Sequence, residues 1–221
     1  KNPDPYKELK ERSNQDASKL YPKLKRSVEE EDDRLFTAAK VAIAGNAIDF
    51  GPDIKADYTE VIEEALNLEP AINDVEALRR LLTETNRVLY LADNAGETYF
   101  DKILIEELIR MDVEVKYVVK GGPIINDATM EDAKAADIPE VAETITLGTD
   151  CAGIIFEECS DTFKREFEDA PLIISKGQGN YESLNEFRGK EIFYLLKVKC
   201  PIIGRDLGTV AGSTVLKRTS L

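Results

Sequence analysis

Three polar clusters of this chain follow predicted strands, and their side chains are of types that bind cations and anions. The first cluster is Asp93-Asn94, the second is the segment 120–127, which ends in Asp127, and the third is the segment 176–180. Because the carboxyl ends of parallel strands meet at one edge of a sheet, we expect the three loops to lie close together. Two acids and an amide could then converge on one hard cation, with a lysine beside it.

Glycines in the second and third clusters leave backbone N–H groups open to an anion, and phosphate is an anion that such groups bind. The chain contains no P-loop pattern, and Gly177-x-Gly179 does not extend to a dinucleotide fingerprint. Each cluster also has a plainer interpretation: the first and second could only cap the helices that follow, and the third could be a glycine turn with an exposed lysine. The presence of all three clusters at strand ends favours a binding site over these separate explanations.

The chain contains no histidine, and its three cysteines, Cys151, Cys159 and Cys200, are scattered. Catalysis by Ser-His-Asp or Cys-His groups and histidine-based zinc or iron sites are therefore excluded within this chain. The cysteines are too few for a disulfide framework, so we expect a protein of the reducing cytoplasm. A metal here must be bound by oxygen ligands, which indicates a hard ion such as magnesium or manganese.

The charge of the chain bears on its partners. Lys and Arg number 29 and Asp and Glu 43, which gives a formal net charge of −14. So acidic a surface repels nucleic acid and anionic membranes, and we expect neither as a partner. No apolar run approaches the roughly 20 residues that a membrane helix needs. The chain opens at Lys1 rather than a methionine, and a start missing before it would fit.

The pattern of apolar residues predicts an α/β fold. The first part is helical in pattern, and there Ser27-x-x-Glu30 matches a capping box, which predicts the start of a helix. The later part alternates strands with helices, as parallel sheets do. We therefore predict an N-terminal helical lobe over residues 1–86 and, over residues 87–221, a three-layer α/β/α core with a mostly parallel sheet, together forming one functional unit. The predicted strands are 88–92, 113–119, 144–147, 172–176 and 192–198, with a further edge strand from Val210 and Val215-Leu216.

One further polar group interrupts the helical lobe. In Gly45-Asn46-x-x-Asp49 the two polar side chains are three residues apart, which places them on the same side of a helical turn. A helix C-terminus followed by a Gly-Pro turn is the plainer interpretation of this interruption.

Four motifs together resemble those of the metal-dependent damage-control phosphatases, an acidic-residue-methyltransferase-like family formerly known as a domain of unknown function. Asp-Asn-Ala-Gly-Glu at 93–97 resembles the central Asp-Asn motif of the family, and Gly-Asn-x-x-Asp at 45–49 resembles its upstream motif. Asp127 matches the acid of its second metal-ligand motif, and 176–181 is similar to its Lys-Gly-x-x-Asn-Tyr motif. The resemblance extends over essentially the whole chain and is to the compact prokaryotic branch, which tends to begin with a further helical segment.

The resemblance implies one divalent cation (Mg, Mn, Co or Ni) held by the residues that match the metal ligands, which are Asp93, Asn94 and Asp127. It also implies hydrolysis of small phosphomonoesters, including sugar phosphates and phosphopantetheine-like or damaged metabolites, and hence a small phosphorylated metabolite as partner. The predicted substrate and phosphate-binding residues are Asn46, Asp49, Glu97, Lys176, Gly177 and Asn180. Three of them are predicted to be catalytic: Asp49 or Glu97 would orient or deprotonate a water, and Lys176 would offset phosphate charge.

The sequence departs from the family in one place and leaves two other functions open. Larger eukaryotic members carry an Arg-Thr-x-Lys motif, whereas this chain has Leu-Lys-Val-Lys at 196–199, so that only Lys199 is retained. One alternative function is an S-adenosylmethionine-dependent methyltransferase that acts on carboxyl groups. The other is a non-catalytic module that binds phosphorylated metabolites. The oligomeric state is unknown from the sequence.

Overall fold

The computed structural model describes residues 3–47 and 58–219. The helices are α1 (Lys7–Glu30), α2 (Arg34–Ala47), α3 (Tyr58–Leu66), α4 (Val75–Glu84), α5 (Glu97–Arg110), α6 (Met130–Ala135), α7 (Asp161–Asp169), α8 (Gln178–Leu184) and α9 (Pro201–Leu207). The strands are β1 (Ile72–Asn73), β2 (Arg87–Leu91), β3 (Glu114–Val119), β4 (Glu143–Thr146), β5 (Ile173–Lys176), β6 (Ile192–Lys197) and β7 (Thr214–Arg218).

The strands form one sheet in the order β1-β7-β6-β5-β2-β3-β4. The five strands from β6 to β4 are mutually parallel, whereas β7 runs antiparallel to β6 and pairs in parallel with β1. The chain moves outward from β2 to β4 and then returns to place β5 on the other side of β2, so the strand order reverses between β2 and β5. Ligands of open α/β sheets bind at such a switch point, beyond the carboxyl ends of the two strands.

The predicted α/β fold with a mostly parallel sheet is confirmed. Each of the five main predicted strands is present, with ends that differ from the prediction by at most one residue. The last strand contains Val215 and Leu216 but not Val210. Its predicted edge position is wrong, because β1 pairs with the outer side of β7, where Ile72 lies opposite Val215. A two-residue strand such as β1 has no apolar run that a sequence pattern could detect.

Both faces of the sheet are covered by helices, which gives three layers. Along β2, Val88 and Tyr90 pack with α1 to α5, whereas Leu89 and Leu91 pack on the opposite face with α7 and α8. Burial on both faces explains why the central strand is a continuous apolar run rather than an alternating one. Among the helices of the described ranges, none is both long and apolar enough to cross a membrane.

The first helix is longer than the sequence pattern indicates. Ser27 lies inside α1, whose buried stripe continues to Val28, so the prediction of a helix start at Ser27 is wrong. The next helix is capped instead by Asp33, whose carboxylate accepts a hydrogen bond from the N–H of Phe36 (3.1 Å). Burial of the α1 stripe against the core outweighs the local capping preference.

The predicted division of the chain at residue 86 stays a prediction. The helices α1 to α4 share one hydrophobic cluster with α5 and with the face of the sheet on which α5 packs. The strand β1, which precedes residue 86, belongs to the same sheet as the later strands. The two ranges therefore pack on each other through shared apolar contacts.

Candidate functional site

The turn that joins β2 to α5 is bonded directly to the loop that follows β3. The N–H of Ala95 donates to the carbonyl of Asn126 (2.8 Å), and the N–H of Ala128 donates to the carbonyl of Asp93 (2.8 Å). Asn94 and Asp127 lie opposite each other in this short antiparallel bridge. The structure thus brings together the three residues that match the metal ligands of the family.

Two amide side chains connect the acids of this site. The Nδ2 atom of Asn46 donates to Oδ2 of Asp93 (2.7 Å) and to Oε1 of Glu97 (3.0 Å). The Nδ2 atom of Asn94 donates to the same two oxygens, at 2.9 Å and 2.7 Å. Asn46, near the end of α2, therefore lies beside Asp93 and Glu97, and its predicted role in substrate binding stays a prediction. Asp49, the other polar residue of that motif, lies outside the described residues.

A buried charge network extends from Glu97 into the core. Lys176, at the end of β5, donates to Oε2 of Glu97 (3.0 Å) and to Oδ1 of Asp101 (2.7 Å). Asp101 also accepts hydrogen bonds from the hydroxyls of Tyr90 and Tyr117, each at 2.8 Å. Lys176 and Asp101 are 0% exposed. Burial would lower the pKa of Lys176, but the two carboxylates raise this pKa above the usual range, so the ammonium group stays charged.

The Glu97 carboxylate stands between Lys176 and the Asp93 group. One of its oxygens accepts from the two asparagine amides and the other from the lysine. Lys176 is therefore connected to the site through Glu97. Direct contact of Lys176 with a substrate phosphate stays a prediction.

The turn after β5 lies against Asp93. Gly177 has φ +80°, and a Cβ atom at this position would be 2.0 Å from Oδ2 of Asp93, so only glycine allows this approach. Asn180, which is buried, donates from Nδ2 to the carbonyls of Ala92 and Lys176, both at 2.9 Å. These contacts join the carboxyl ends of β2 and β5 at the switch point.

Negative charge is concentrated at this point. Part of Asp93 is exposed, yet burial, together with repulsion from Glu97 and Asp127, raises its pKa to about 7. Burial also raises the pKa of Asp127, although Lys120, 3.4 Å away, acts against this. A cation placed among these carboxylates would relieve the repulsion.

The donor set fits a hard divalent cation. Asp93 and Asp127 offer carboxylate oxygens, and the nitrogen of the Asn94 side chain is engaged with carboxylates, so its amide oxygen is the atom suited to ligate a metal. Among residues 3–47 and 58–219, no three acidic or cysteine side chains are grouped so that they alone could hold a metal ion. A site here therefore needs the amide oxygen, or groups beyond the described ranges, in addition to the two carboxylates.

No role was predicted from the sequence for three residues of this region, although Lys120 begins the second predicted cluster. Lys120, at the end of β3, donates to the carbonyl of Cys151 (3.0 Å) and to that of Gly153, as well as pairing with Asp127. Its position at a strand end, like that of Lys176, was a usable signal. Asp101 follows Glu97 by one helical turn on an otherwise apolar helix face, and this spacing was a weaker signal. Asn14 in α1 has no local signal, because its partners are far away in the sequence.

The fold and the site together define an α/β protein with carboxylate and amide oxygens at the switch point of its sheet, which is a site suited to cation-assisted chemistry. The family model described as the damage-control phosphatase ARMT1-like domain matches residues 1–215, and the chain belongs to this family. The resemblance inferred from the four motifs is therefore confirmed.

Three relatives match nearly the whole chain in sequence. A protein named damage-control phosphatase from Archaeoglobus fulgidus is 38% identical over an alignment of 219 residues that covers 97% of this chain and 75% of the relative. Damage-control phosphatase PH1575 from Pyrococcus horikoshii is 39% identical over 98% of this chain and 75% of its own length. The uncharacterised protein MJ0202 from Methanocaldococcus jannaschii is 45% identical over 97% of this chain and 73% of the relative.

A solved structure has the same fold. The crystal structure of a DUF89 family protein, PH1575 from Pyrococcus horikoshii, superimposes with a TM-score of 0.91 at 37% identity. The match covers 99% of this chain and 76% of the other. The seven-stranded architecture described above is thus an observed fold of this family.

Proposed function

We propose that this chain is a metal-dependent phosphatase that hydrolyses small phosphomonoesters, such as sugar phosphates and phosphopantetheine-like or damaged phosphorylated metabolites. The observation that carries the proposal is the meeting of Asp93, Asn94 and Asp127 at the switch point of the sheet. Membership of the family and the names of the relatives support a phosphatase of the damage-control class.

The residues present fit one divalent cation of the Mg²⁺, Mn²⁺, Co²⁺ or Ni²⁺ type. The carboxylates of Asp93 and Asp127 and the amide oxygen of Asn94 would hold it. When bound, such a cation supplies positive charge to a phosphoryl oxygen and lowers the pKa of a bound water.

Glu97 is the best placed of the described residues to act on the attacking water. Its carboxylate is held in one orientation by Asn46, Asn94 and Lys176, so it needs little reorganisation. With no histidine in the chain, this carboxylate would orient the water or take its proton. Asp49 remains the other candidate for that role.

The remaining predicted residues shape the charge and the space of the pocket. Lys176 would offset phosphate charge from the far side of the Glu97 carboxylate, in surroundings where burial strengthens electrostatic interactions. Gly177 lets the backbone approach Asp93, and Asn180 fixes the two strand ends beside the proposed metal ligands. Phosphoryl transfer depends mostly on such positioning and on charge stabilisation.

The substitution Asp127→Asn tests the proposal. It keeps the shape of the side chain but removes one carboxylate from the donor set. We expect metal-dependent hydrolysis of p-nitrophenyl phosphate to fall by more than about 100-fold. Loss of a residue that only orients a metal ligand typically lowers activity by at most about that factor. The measurement is phosphate release with Mg²⁺, Mn²⁺, Co²⁺ and Ni²⁺ in turn, with a chelator as the metal-free baseline.

The matched control is Glu131→Gln, which removes an exposed acid of α6 close to Asp127 in sequence and should keep full activity. Unchanged turnover in Asp127→Asn would contradict the assignment of the metal site. Binding of phosphate esters without phosphate release, whichever ion is supplied, would favour the non-catalytic module. Binding of S-adenosylmethionine without metal would favour the methyltransferase.

A further inference from the structure

One side chain of the first helix contacts the turn of Asp93 and Asn94 and the helix that follows the loop of Asp127. The Oδ1 atom of Asn14 accepts a hydrogen bond from the N–H of Gly96 (2.7 Å), and its Nδ2 atom donates to Oδ1 of Asp132 (2.9 Å). Gly96 closes the turn of Asp93 and Asn94, and Asp132 lies in the first turn of α6. Asn14 is only 8% exposed, so both bonds are shielded from water.

Asp132 connects Asn14 to the loop of Asp127 through hydrogen bonds with Thr129. Its Oδ2 atom accepts from the backbone N–H (2.8 Å) and the hydroxyl (2.7 Å) of Thr129, the N-cap residue of α6. Thr129 also bridges to Lys120, whose ammonium group pairs with Asp127. The carboxylate that Asn14 holds therefore fixes the backbone directly after Asp127.

The turn at Gly96 is in direct contact with the backbone of α1. Gly96 has φ +80°, and a Cβ atom there would lie 3.0 Å from Cβ of Ser13 and 3.2 Å from the carbonyl carbon and oxygen of Ser13. A side chain here would need a φ that favours glycine, and α1 would have to give by a few tenths of an ångström. The helix and the turn thus form a close contact next to the Asn14 hydrogen bond.

We propose that Asn14 is a positioning residue that holds the Asp93-Asn94 turn at a fixed separation from the loop of Asp127. The inference rests on the proposed function, because it assumes that these two loops together bind a divalent cation. Metal ligands must be held within about 0.5 Å of their productive places, and buried hydrogen bonds from supporting residues provide such precision. Two backbone bonds join the loops near Asp93 and Asp127, and Asn14 adds a connection between Gly96 and Asp132.

The test uses three variants of the full chain. Asn14→Ala removes both hydrogen bonds. Asn14→Asp keeps an acceptor for the N–H of Gly96 but places a carboxylate against Asp132, so it breaks one side of the connection only. The matched control is Gln15→Ala, which truncates the neighbouring amide on the exposed face of α1.

Two measurements on these variants do not depend on turnover. Hydrogen exchange of the metal-free protein should become about 10-fold faster at residues 94–97 and 128–133 in Asn14→Ala, whereas Asn14→Asp should loosen only the second segment. Calorimetric affinity for Mn²⁺ should fall about 10-fold in Asn14→Ala, as for other residues that orient metal ligands. Gln15→Ala should match the parent chain in both measurements.

The outcomes separate this inference from the proposed function. If the parent chain binds Mn²⁺ and Asn14→Ala binds it equally well, the inference is wrong and the phosphatase proposal stands. If exchange rises equally in β6 and β7, Asn14 only stabilises the fold and the inference is also wrong. If the parent chain binds no divalent ion, the proposed function fails. Unchanged hydrogen exchange at residues 94–97 and 128–133 in Asn14→Ala would show that Asn14 does not hold these two segments together.

Discussion

Lys176 and Asp101 form an ion pair with no exposure to solvent, and Lys176 also donates a hydrogen bond to Glu97. Desolvation of two charges is costly, so such a pair contributes little net stability compared with apolar residues of similar volume. Loss of one partner is different, because it leaves the other charge buried and uncompensated. In this chain two carboxylates depend on one ammonium group, and the tyrosine hydroxyls contribute hydrogen bonds but no charge.

At this scale we predict that Lys176→Met destabilises the protein by roughly 3–5 kcal/mol, because Glu97 and Asp101 then share a buried site without a cation. The double variant Lys176→Met with Asp101→Asn should recover part of this lost stability, since only the Glu97 carboxylate then remains buried without a cation. Urea unfolding of the two single variants and the double variant measures the coupling free energy. The control Lys7→Met removes an exposed helix pair with Glu11 and should change the free energy of unfolding by less than about 0.5 kcal/mol. Equal effects of Lys176→Met and Lys7→Met would contradict the role given to this network.

At the scale of the elements, the site depends on how closely β2 and β5 hold the loops that follow them. The bonds from Asn180 to the carbonyls of Ala92 and Lys176 fix the two strand ends, and Gly177 lies against Asp93. The loop after β3 also holds the turn after β2, through the bridge between Asn94 and Asp127. Three loops from three neighbouring strands are thus locked together by backbone contacts, which is what precise placement of ligands requires.

The prediction for this scale is that Gly177→Ala abolishes metal binding rather than folding. The new methyl group would lie 2.0 Å from Oδ2 of Asp93, so the carboxylate must move. The control is Gly189→Ala, because Gly189 has a similar φ of +77° but nothing within 4 Å of the added Cβ atom. Both variants carry backbone strain of about 1–3 kcal/mol, and only the first should lose Mn²⁺ affinity in calorimetry. Similar Mn²⁺ affinities in the two variants would show that the contact with Asp93 is unimportant.

At the scale of the whole molecule, the net charge of −14 opposes the binding of an anionic substrate. The overall field repels a phosphate ester and attracts a divalent cation. Local positive charge is therefore needed where the substrate would bind, and Lys199 lies near enough to Asp93 to lower the pKa of that carboxyl against the stronger effect of burial. A bound cation would add to this local charge.

The sequence allowed prediction of the features that depend on local patterns. Strands such as β2 and β6 are largely apolar runs, and parallel strands place their carboxyl ends together, so the meeting of Asp93, Asn94 and Asp127 followed. Contacts between distant segments could not be predicted in this way. The pairing of Lys176 with Asp101 and the bonds of Asn14 depend on packing that has no periodic signature. The capping box at Ser27 misled because burial of α1 outweighed a local preference.

Calorimetric titration with Mn²⁺ tests most directly whether the switch point of the sheet is a metal site. We predict one ion per chain for the parent protein, affinity lowered by more than about 100-fold in both Asp93→Asn and Asp127→Asn, and parental affinity in Glu131→Gln. Absence of divalent-ion binding in the parent protein, or parental affinity in Asp93→Asn and Asp127→Asn, would contradict the account.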